Sequence, residues 1–224
     1  MIDSQVLVVG DVHGCFHTFK KMVIEYWNPE KEILVQVGDL IDRGLYSPEC
    51  VGLARMLNQR YPNRTFFIKG NHELEASIYY ETQANNHWIE QGGAKTLAQY
   101  KSRGRSFAED VVWFNQMPLY YESNYYLISH AGVTDTDEPF DELNSRGVVW
   151  NRSELKNIGK VQVIGHTPLS SKPEYRKTEN VWNIDTGAYR GNTLTGLRLS
   201  EHGDVLETIQ LPTDKADIAQ TTTQ

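Results

Sequence analysis

Val6-Leu7-Val8-Val9-Gly10-Asp11-Val12-His13-Gly14 and Leu34-Val35-Gln36-Val37-Gly38-Asp39-Leu40-Ile41-Asp42-Arg43-Gly44 decide how this chain reads. Each begins as a β-branched apolar run, halts at glycine and passes at once to an acid. Between them Phe16, Phe19, Val23 and Tyr26 recur at helical spacing. Pro48 to Leu57 then reads as a helix with proline near its start, and Thr65-Phe66-Phe67-Ile68 is a third strand leading to Gly70. Strands alternating with helices imply βαβ units and a sheet that is parallel in this part.

Outward from this core the pattern changes. Leu74 to Tyr80, His87 to Ile89, Lys95 to Tyr100 and Phe107 to Phe114 read as helical, with Lys101-Ser-Arg103-Gly-Arg105 turning between two of them. Tyr120-Tyr121-Glu122 and Tyr125 to Ile128 suggest a hairpin across Ser123-Asn124. An acidic loop, Asp135 to Glu142, precedes strands at Val161–Ile164, Asn180–Ile184, Thr193–Leu199 and Asp204–Ile209. No internal repeat or Pro/Gly/Ser linker divides the chain, so one domain over 1–211 is expected, with 212–224 as a flexible tail.

Composition narrows the function. The chain has 224 residues, 29 acids against 22 bases, and a net charge of -7. That acidity disfavours a nucleic-acid or anionic-membrane partner. No window approaches the roughly 18 apolar residues of a membrane span, and Met1 to Gly10 has no basic, apolar leader. Cys15 and Cys50 alone cannot build a disulfide framework, and two reduced thiols fit a cytoplasmic protein.

One pattern recurs five times: an apolar strand ends in Gly or Ser, and a metal-competent side chain follows. It yields Asp11 and His13, Asp39, Asn71 and His72, His130, and His166. Carboxyl ends of parallel strands share a crevice where ligands bind, so side chains from residues 11 to 166 can converge. The preceding glycines are expected to allow a tight turn beneath the ions. Asp, His and Asn donors without Cys suit borderline divalent metals, and with Asp39 bridging they suffice for two ions. Asp11 alone would be an ordinary turn residue; the set is what carries the reading.

Gly-Asp11-Val-His13-Gly, Gly-Asp39-Leu-Ile-Asp42-Arg43-Gly, Gly-Asn71-His72-Glu73, His130-Ala-Gly and Gly-His166-Thr resemble the signature set of the PPP metallophosphatases, in particular the compact bacterial and phage serine/threonine phosphatases. The resemblance implies a calcineurin-like α/β sandwich of two mixed β-sheets flanked by helices. It implies one metal on Asp11, His13 and Asp39, a second on Asp39, Asn71, His130 and His166, and direct attack by a metal-bridging hydroxide. His72 would be the general acid, oriented by Asp42. Arg43, Arg152 and Asn71 would hold phosphate oxygens. Manganese is the first expectation for the two ions, with iron or zinc as alternatives, and a phosphoprotein or phosphopeptide is the expected substrate. Related dinucleoside-tetraphosphate hydrolases share Asp-Arg-Gly and are the alternative reading. A nuclease suits neither the Asp42-Arg43 pair nor the acidity, and an inactive scaffold would not keep every proposed ligand. His17, His87 and His202 belong to no motif. Trp88 matches a family segment without an evident role. Asp185, in Asp185-Thr-Gly187-Ala-Tyr189, is expected to order its loop.

Overall fold

The computed structural model describes residues 5–218. Two five-stranded mixed sheets face one another. The first has the order β10-β9-β1-β2-β3, from β1 (Gln5–Val9), β2 (Glu32–Gln36), β3 (Thr65–Phe67), β9 (Thr193–Leu199) and β10 (Val205–Pro212). The second has the order β4-β5-β6-β8-β7, from β4 (Tyr120–Glu122), β5 (Tyr126–Ser129), β6 (Val161–Ile164), β7 (Glu174–Arg176) and β8 (Val181–Asn183). As the alternation required, β1, β2 and β3 pair in parallel. The expected hairpin is present: β4 and β5 are antiparallel, with Tyr120 opposite Ser129.

The two-residue period of β1 sorts its side chains between two cores. Val6 and Val8 face inward with Val35, Val37, Ile68, Ile128, Val163, Ile184 and Leu197, which fill the space between the sheets. Leu7 and Val9 face outward into the helices, with Phe19, Met22, Leu40, Ala54, Trp88 and Phe114. Helices α1 (Phe16–Tyr26), α2 (Ser47–Arg60), α3 (Asn71–Thr82), α4 (Asn86–Trp88), α5 (Ala94–Arg103) and α6 (Phe107–Asn115) cover that side. Gly104 at φ 61° ends α5 and Ser106 caps α6 through the Glu109 amide, so the turn is confined to Gly104 and Arg105, while Lys101 to Arg103 form the last turn of α5. No helix of the described residues is long and apolar enough to cross a membrane.

Three departures have physical causes. Between α4 and α5 the chain makes one π-helical turn, Ile89–Gly93, where Gly92 adopts φ 138°. A Cβ on Gly92 would sit 2.9 Å from that of Asp42, so a bulkier residue could not pass beneath the site. Strand β7 escapes the sequence pattern because Glu174, Tyr175 and Arg176 form a short edge with no buried face. The flexible tail expected from residue 212 is corrected: Pro212 ends β10, and a 3-10 turn at Lys215–Asp217 buries Asp217 completely. Residues 219–224 of that expected tail lie outside the described residues.

Candidate two-metal phosphoester site

The carboxyl ends of β1, β2 and β3, extended by β5 and β6, bring Asp11, His13, Asp39, Asn71, His72, His130 and His166 together, all of them buried. Of the glycines that precede the ligand-type residues, Gly38 makes the expected turn at φ 108°, whereas Gly10, Gly70 and Gly165 do not take positive φ; a Cβ on Gly10 would lie 2.6 Å from the Ile184 carbonyl, and one on Gly165 would strike Asp11 Oδ1. The ligand-type residues themselves are left-handed: His13 at 44°, Asp39 at 57° and His166 at 68°, joined by Asp42 at 71° and Arg43 at 66°. Such conformations persist only where surroundings over-determine them, and they cluster at functional sites.

The imidazoles are oriented by what their other nitrogen touches. His13 Nδ1 lies 2.9 Å from the Ile41 carbonyl, His130 Nδ1 2.9 Å from the Val37 carbonyl, and His166 Nε2 3.1 Å from the Trp150 carbonyl. A carbonyl only accepts, so each of these nitrogens carries the proton and the opposite one presents a lone pair. Those lone pairs converge. His130 Nε2 and His166 Nδ1 are 3.0 Å apart, and Asn71 Oδ1 is 3.1 Å from the first and 2.9 Å from the second. Asp39 Oδ2 is 3.4 Å from both His13 Nε2 and His130 Nε2.

Acceptors crowded this way repel one another unless a cation lies among them. Two further oxygens point to the same need: Asp11 Oδ1 and Asp185 Oδ2 are buried with no hydrogen-bond partner. Burial, Asp185 and Asp39 together raise the Asp11 carboxyl well above its usual range. Asp39 is held well below it: burial opposes its charge, but His130 and His72 outweigh burial. Burial lowers His13 and His166 well below a free imidazole, which keeps them neutral as metal binding requires. The donor set and the orphaned oxygens therefore fit divalent cations, in two groups that share Asp39.

His72 is treated differently. Its Nδ1 is 2.6 Å from Asp42 Oδ2, while its Nε2 faces Asp39 at 3.9 Å and Arg43 Nη2 at 3.1 Å. Burial alone would depress it, but Asp39 and the hydrogen-bonded Asp42 raise it to about 8. Asp42 is fully engaged: Trp88 Nε1 donates to it at 2.7 Å and Thr96 Oγ1 at 2.5 Å, and its amide donates to Ser47 Oγ at 2.9 Å. Trp88 and Thr96 were not read as site residues. Glu73, noted only as part of a motif, accepts the amides of Asp39, Leu40 and Gly70 at 2.8–3.0 Å and so ties β2 to β3. Burial, with Asp39 adding to it, raises Glu73 to about 7.

The arginines differ in placement. Arg43 lies within the group, with Nη1 2.8 Å from His13 Nε2 and its guanidinium carbon 4.5 Å from the Tyr189 ring centre. Arg152 is exposed at the rim, where Nη1 reaches the His166 carbonyl at 3.3 Å and Thr167 Oγ1 at 3.4 Å. Asp185 receives the Gly187 amide at 2.9 Å and does order its loop. His87 and His202 are exposed, and His17 lies on α1 away from this convergence. Arg103 pairs with Glu49 and Arg105 with Asp110, so the basic stretch is spent on helix packing.

Facing sheets with metal-binding side chains at their strand ends define a metal-dependent phosphoester hydrolase. The chain belongs to the calcineurin-like phosphoesterase family, whose model matches residues 4–194. It is 29% identical to serine/threonine-protein phosphatase 1 of Salmonella typhimurium, over 87% of this chain and 91% of that protein. It is 28% identical to the asymmetrical bis(5'-nucleosyl)-tetraphosphatase PrpE of Anoxybacillus flavithermus, over 95% of this chain and 96% of that one. A protein serine/threonine phosphatase from Saccharomyces cerevisiae superposes with a TM-score of 0.65 at 17% identity, covering 96% of this chain and 82% of the other.

Proposed function

We propose that this chain is a phosphomonoesterase acting on phosphoserine and phosphothreonine in proteins, with phosphotyrosine as a secondary substrate, and that it works in the cytoplasm. Asp11, His13 and Asp39 would hold one divalent ion, and Asp39, Asn71, His130 and His166 the other, manganese being the first expectation. Two such ions acidify a shared water and draw charge from phosphoryl oxygens. The observation that carries the assignment is the His72–Asp42 contact of 2.6 Å, with the second His72 nitrogen directed at Asp39 and Arg43. Arg43 only donates, so here it meets a lone pair on Nε2. A proton taken up at Nε2, with Arg43 engaged by phosphate, would be placed for the departing alkoxide, and Asp42 fixes the ring that would deliver it. Arg43 presents a planar fork to the non-bridging oxygens, with Asn71 beside it and Arg152 at the rim.

The choice of a monoester over a polyphosphate rests on charge. Lys69, two residues before Asn71, is almost completely buried and is neutralised by Glu142 of the acidic loop at 2.7 Å. One phosphate is served by Arg43 and Arg152, and Lys69, held by Glu142, adds no free cation for a longer chain. The same loop exposes Asp137 and Glu138, which suit a basic peptide flank. Both cysteines are free and buried, consistent with a reducing compartment. A competition between a phosphoserine peptide and diadenosine tetraphosphate, run with manganese, tests the reading. Preferential turnover of the peptide is expected; preferential release of nucleotide would replace it with the tetraphosphatase reading.

A further inference from the structure

Beyond β10 the chain binds two parts of the molecule that meet at Arg43. Thr213 donates its amide to the Asn192 carbonyl at 3.0 Å and its hydroxyl to the Ala188 carbonyl at 2.8 Å. Asp214 then caps the 3-10 turn through the Ala216 amide at 2.9 Å. Asp217, at the end of that turn, is 0% exposed. Its Oδ1 accepts the His17 amide at 2.8 Å, and its Oδ2 accepts the Thr18 amide at 2.9 Å and hydroxyl at 2.6 Å. Cys15 gives α1 no side-chain cap, so Asp217 caps that helix from about 200 residues away.

From this anchored position the Asp217 carbonyl accepts the Leu45 amide at 3.0 Å, two residues beyond Arg43. The second route runs through Tyr189, which lies between the Ala188 and Asn192 carbonyls held by Thr213. Tyr189 packs on the Arg43 guanidinium at 4.5 Å and edge-on to the His13 ring at 5.0 Å. Ile218 packs over Gly191 in the same loop. The Asp42-Arg43 pair is left-handed at both residues and must be held in place. Lys95 on the Arg43 carbonyl (2.8 Å) and Gln99 on the Gly44 carbonyl (2.9 Å) hold it from α5; Asp217 holds it from the opposite side.

We propose that the segment Thr213–Ile218, through Asp217, is a positioning element that fixes Arg43 for phosphate. The inference rests on the reading of Arg43 as a phosphate-holding residue. Asp217 touches no substrate in this arrangement; it acts through the Leu45 backbone and the Tyr189 loop.

The test uses the full chain with manganese, p-nitrophenyl phosphate as substrate and inorganic phosphate as inhibitor. Asp217→Ala should raise both KM and the phosphate inhibition constant roughly tenfold, with kcat within about threefold, because misplacing a binding group weakens binding before chemistry. Asp217→Asn, which still accepts at Oδ1, should move both constants less, and Thr213→Val should move them in the same direction. In an Arg43→Ala background, Asp217→Ala should add no further increase, since the two act on one contact. A lowered Tm with KM and the phosphate constant unchanged would reduce the segment to a stabiliser of α1 and overturn the proposal. If Asp217→Ala does not fold, unchanged constants in both Asp217→Asn and Thr213→Val do the same. Should the parent protein not hydrolyse the substrate, the functional reading fails separately. Phosphate binding measured calorimetrically on the manganese-loaded parent and variants then decides the positioning role.

Discussion

His13, His130 and His166 differ from His72 in one respect that sets what each can do. The first three give a proton to a backbone carbonyl, whereas His72 faces a carboxylate. A carbonyl is neutral and leaves burial free to lower the imidazole, as it does for His13 and His166, so a lone pair remains to meet a cation. A carboxylate favours the protonated ring, and with Asp39 it raises His72 to about 8 against burial. On the proposed reading the same side chain becomes a ligand or an acid according to its partner. The partners also differ in origin: the carbonyls belong to the strand ends and their loops, whereas Asp42 is held by Trp88 and Thr96 from the helical segment between α3 and α6.

The largest expected effect comes from the residue common to both groups. Asp39→Asn should reduce turnover by on the order of a thousandfold or more, because it removes the charge shared by two cations. Calorimetric titration with manganese should lose its tight binding at the same time. Retention of two tight manganese equivalents would show that the carbonyl-anchored imidazoles hold the ions without Asp39.

Replacing His72 separates the two duties directly. His72→Asn should lower kcat about 10²- to 10⁴-fold on a phosphoserine peptide, whose alkoxide needs a proton. The loss should be smaller on p-nitrophenyl phosphate, whose leaving group is stable as an anion, and manganese stoichiometry should stay at two. His72 Nε2 lies close enough to Asp39 and His13 to join a metal group by geometry alone. Loss of one manganese equivalent would therefore make it a ligand and erase the contrast drawn above.

Removing the donors to Asp42 asks how far the acid depends on its support. Trp88→Phe and Thr96→Val should each cut kcat roughly tenfold, the low end of what outer contacts to a functional histidine contribute. Manganese binding should not change. An equal loss of manganese affinity would mean the helical segment supports the whole site and not His72 alone.

What could be read beforehand follows the same division. The strand-end residues were legible because each sits directly after an apolar run, and a parallel sheet must gather its strand ends. Asp42 and Arg43 were legible from their motif. Trp88 and Thr96 were not: they reach Asp42 across 46 and 54 residues, from either side of the π-helical turn at Ile89–Gly93. Asp217 was hidden for another reason. Its neighbours Asp214, Lys215 and Thr213 make the segment look solvated, yet its carboxylate is the cap that α1 lacks. Polar composition signals exposure only when no distant helix end requires the charge. The second sheet showed the converse, since the three-residue β7 has too little apolar pattern to be seen.

Arg152 should give the smallest effect and completes the comparison from outside the buried group. It is exposed, and its contacts to the His166 carbonyl and Thr167 Oγ1 are long at 3.3 and 3.4 Å. A guanidinium held so loosely can draw a phosphate toward the site but is not fixed at one oxygen, so it binds substrate and transition state nearly alike. Uniform binding of that kind changes KM and leaves kcat. Arg152→Ala should accordingly raise KM for p-nitrophenyl phosphate about three- to tenfold with kcat within about twofold, and added salt should shrink the difference. Arg152→Lys should recover part of the loss, since the charge returns without the planar fork. A hundredfold fall in kcat would instead place Arg152 on the phosphoryl group in the transition state. Phosphate would then be gripped from the loop between β5 and β6 as firmly as from the Asp42-Arg43 turn.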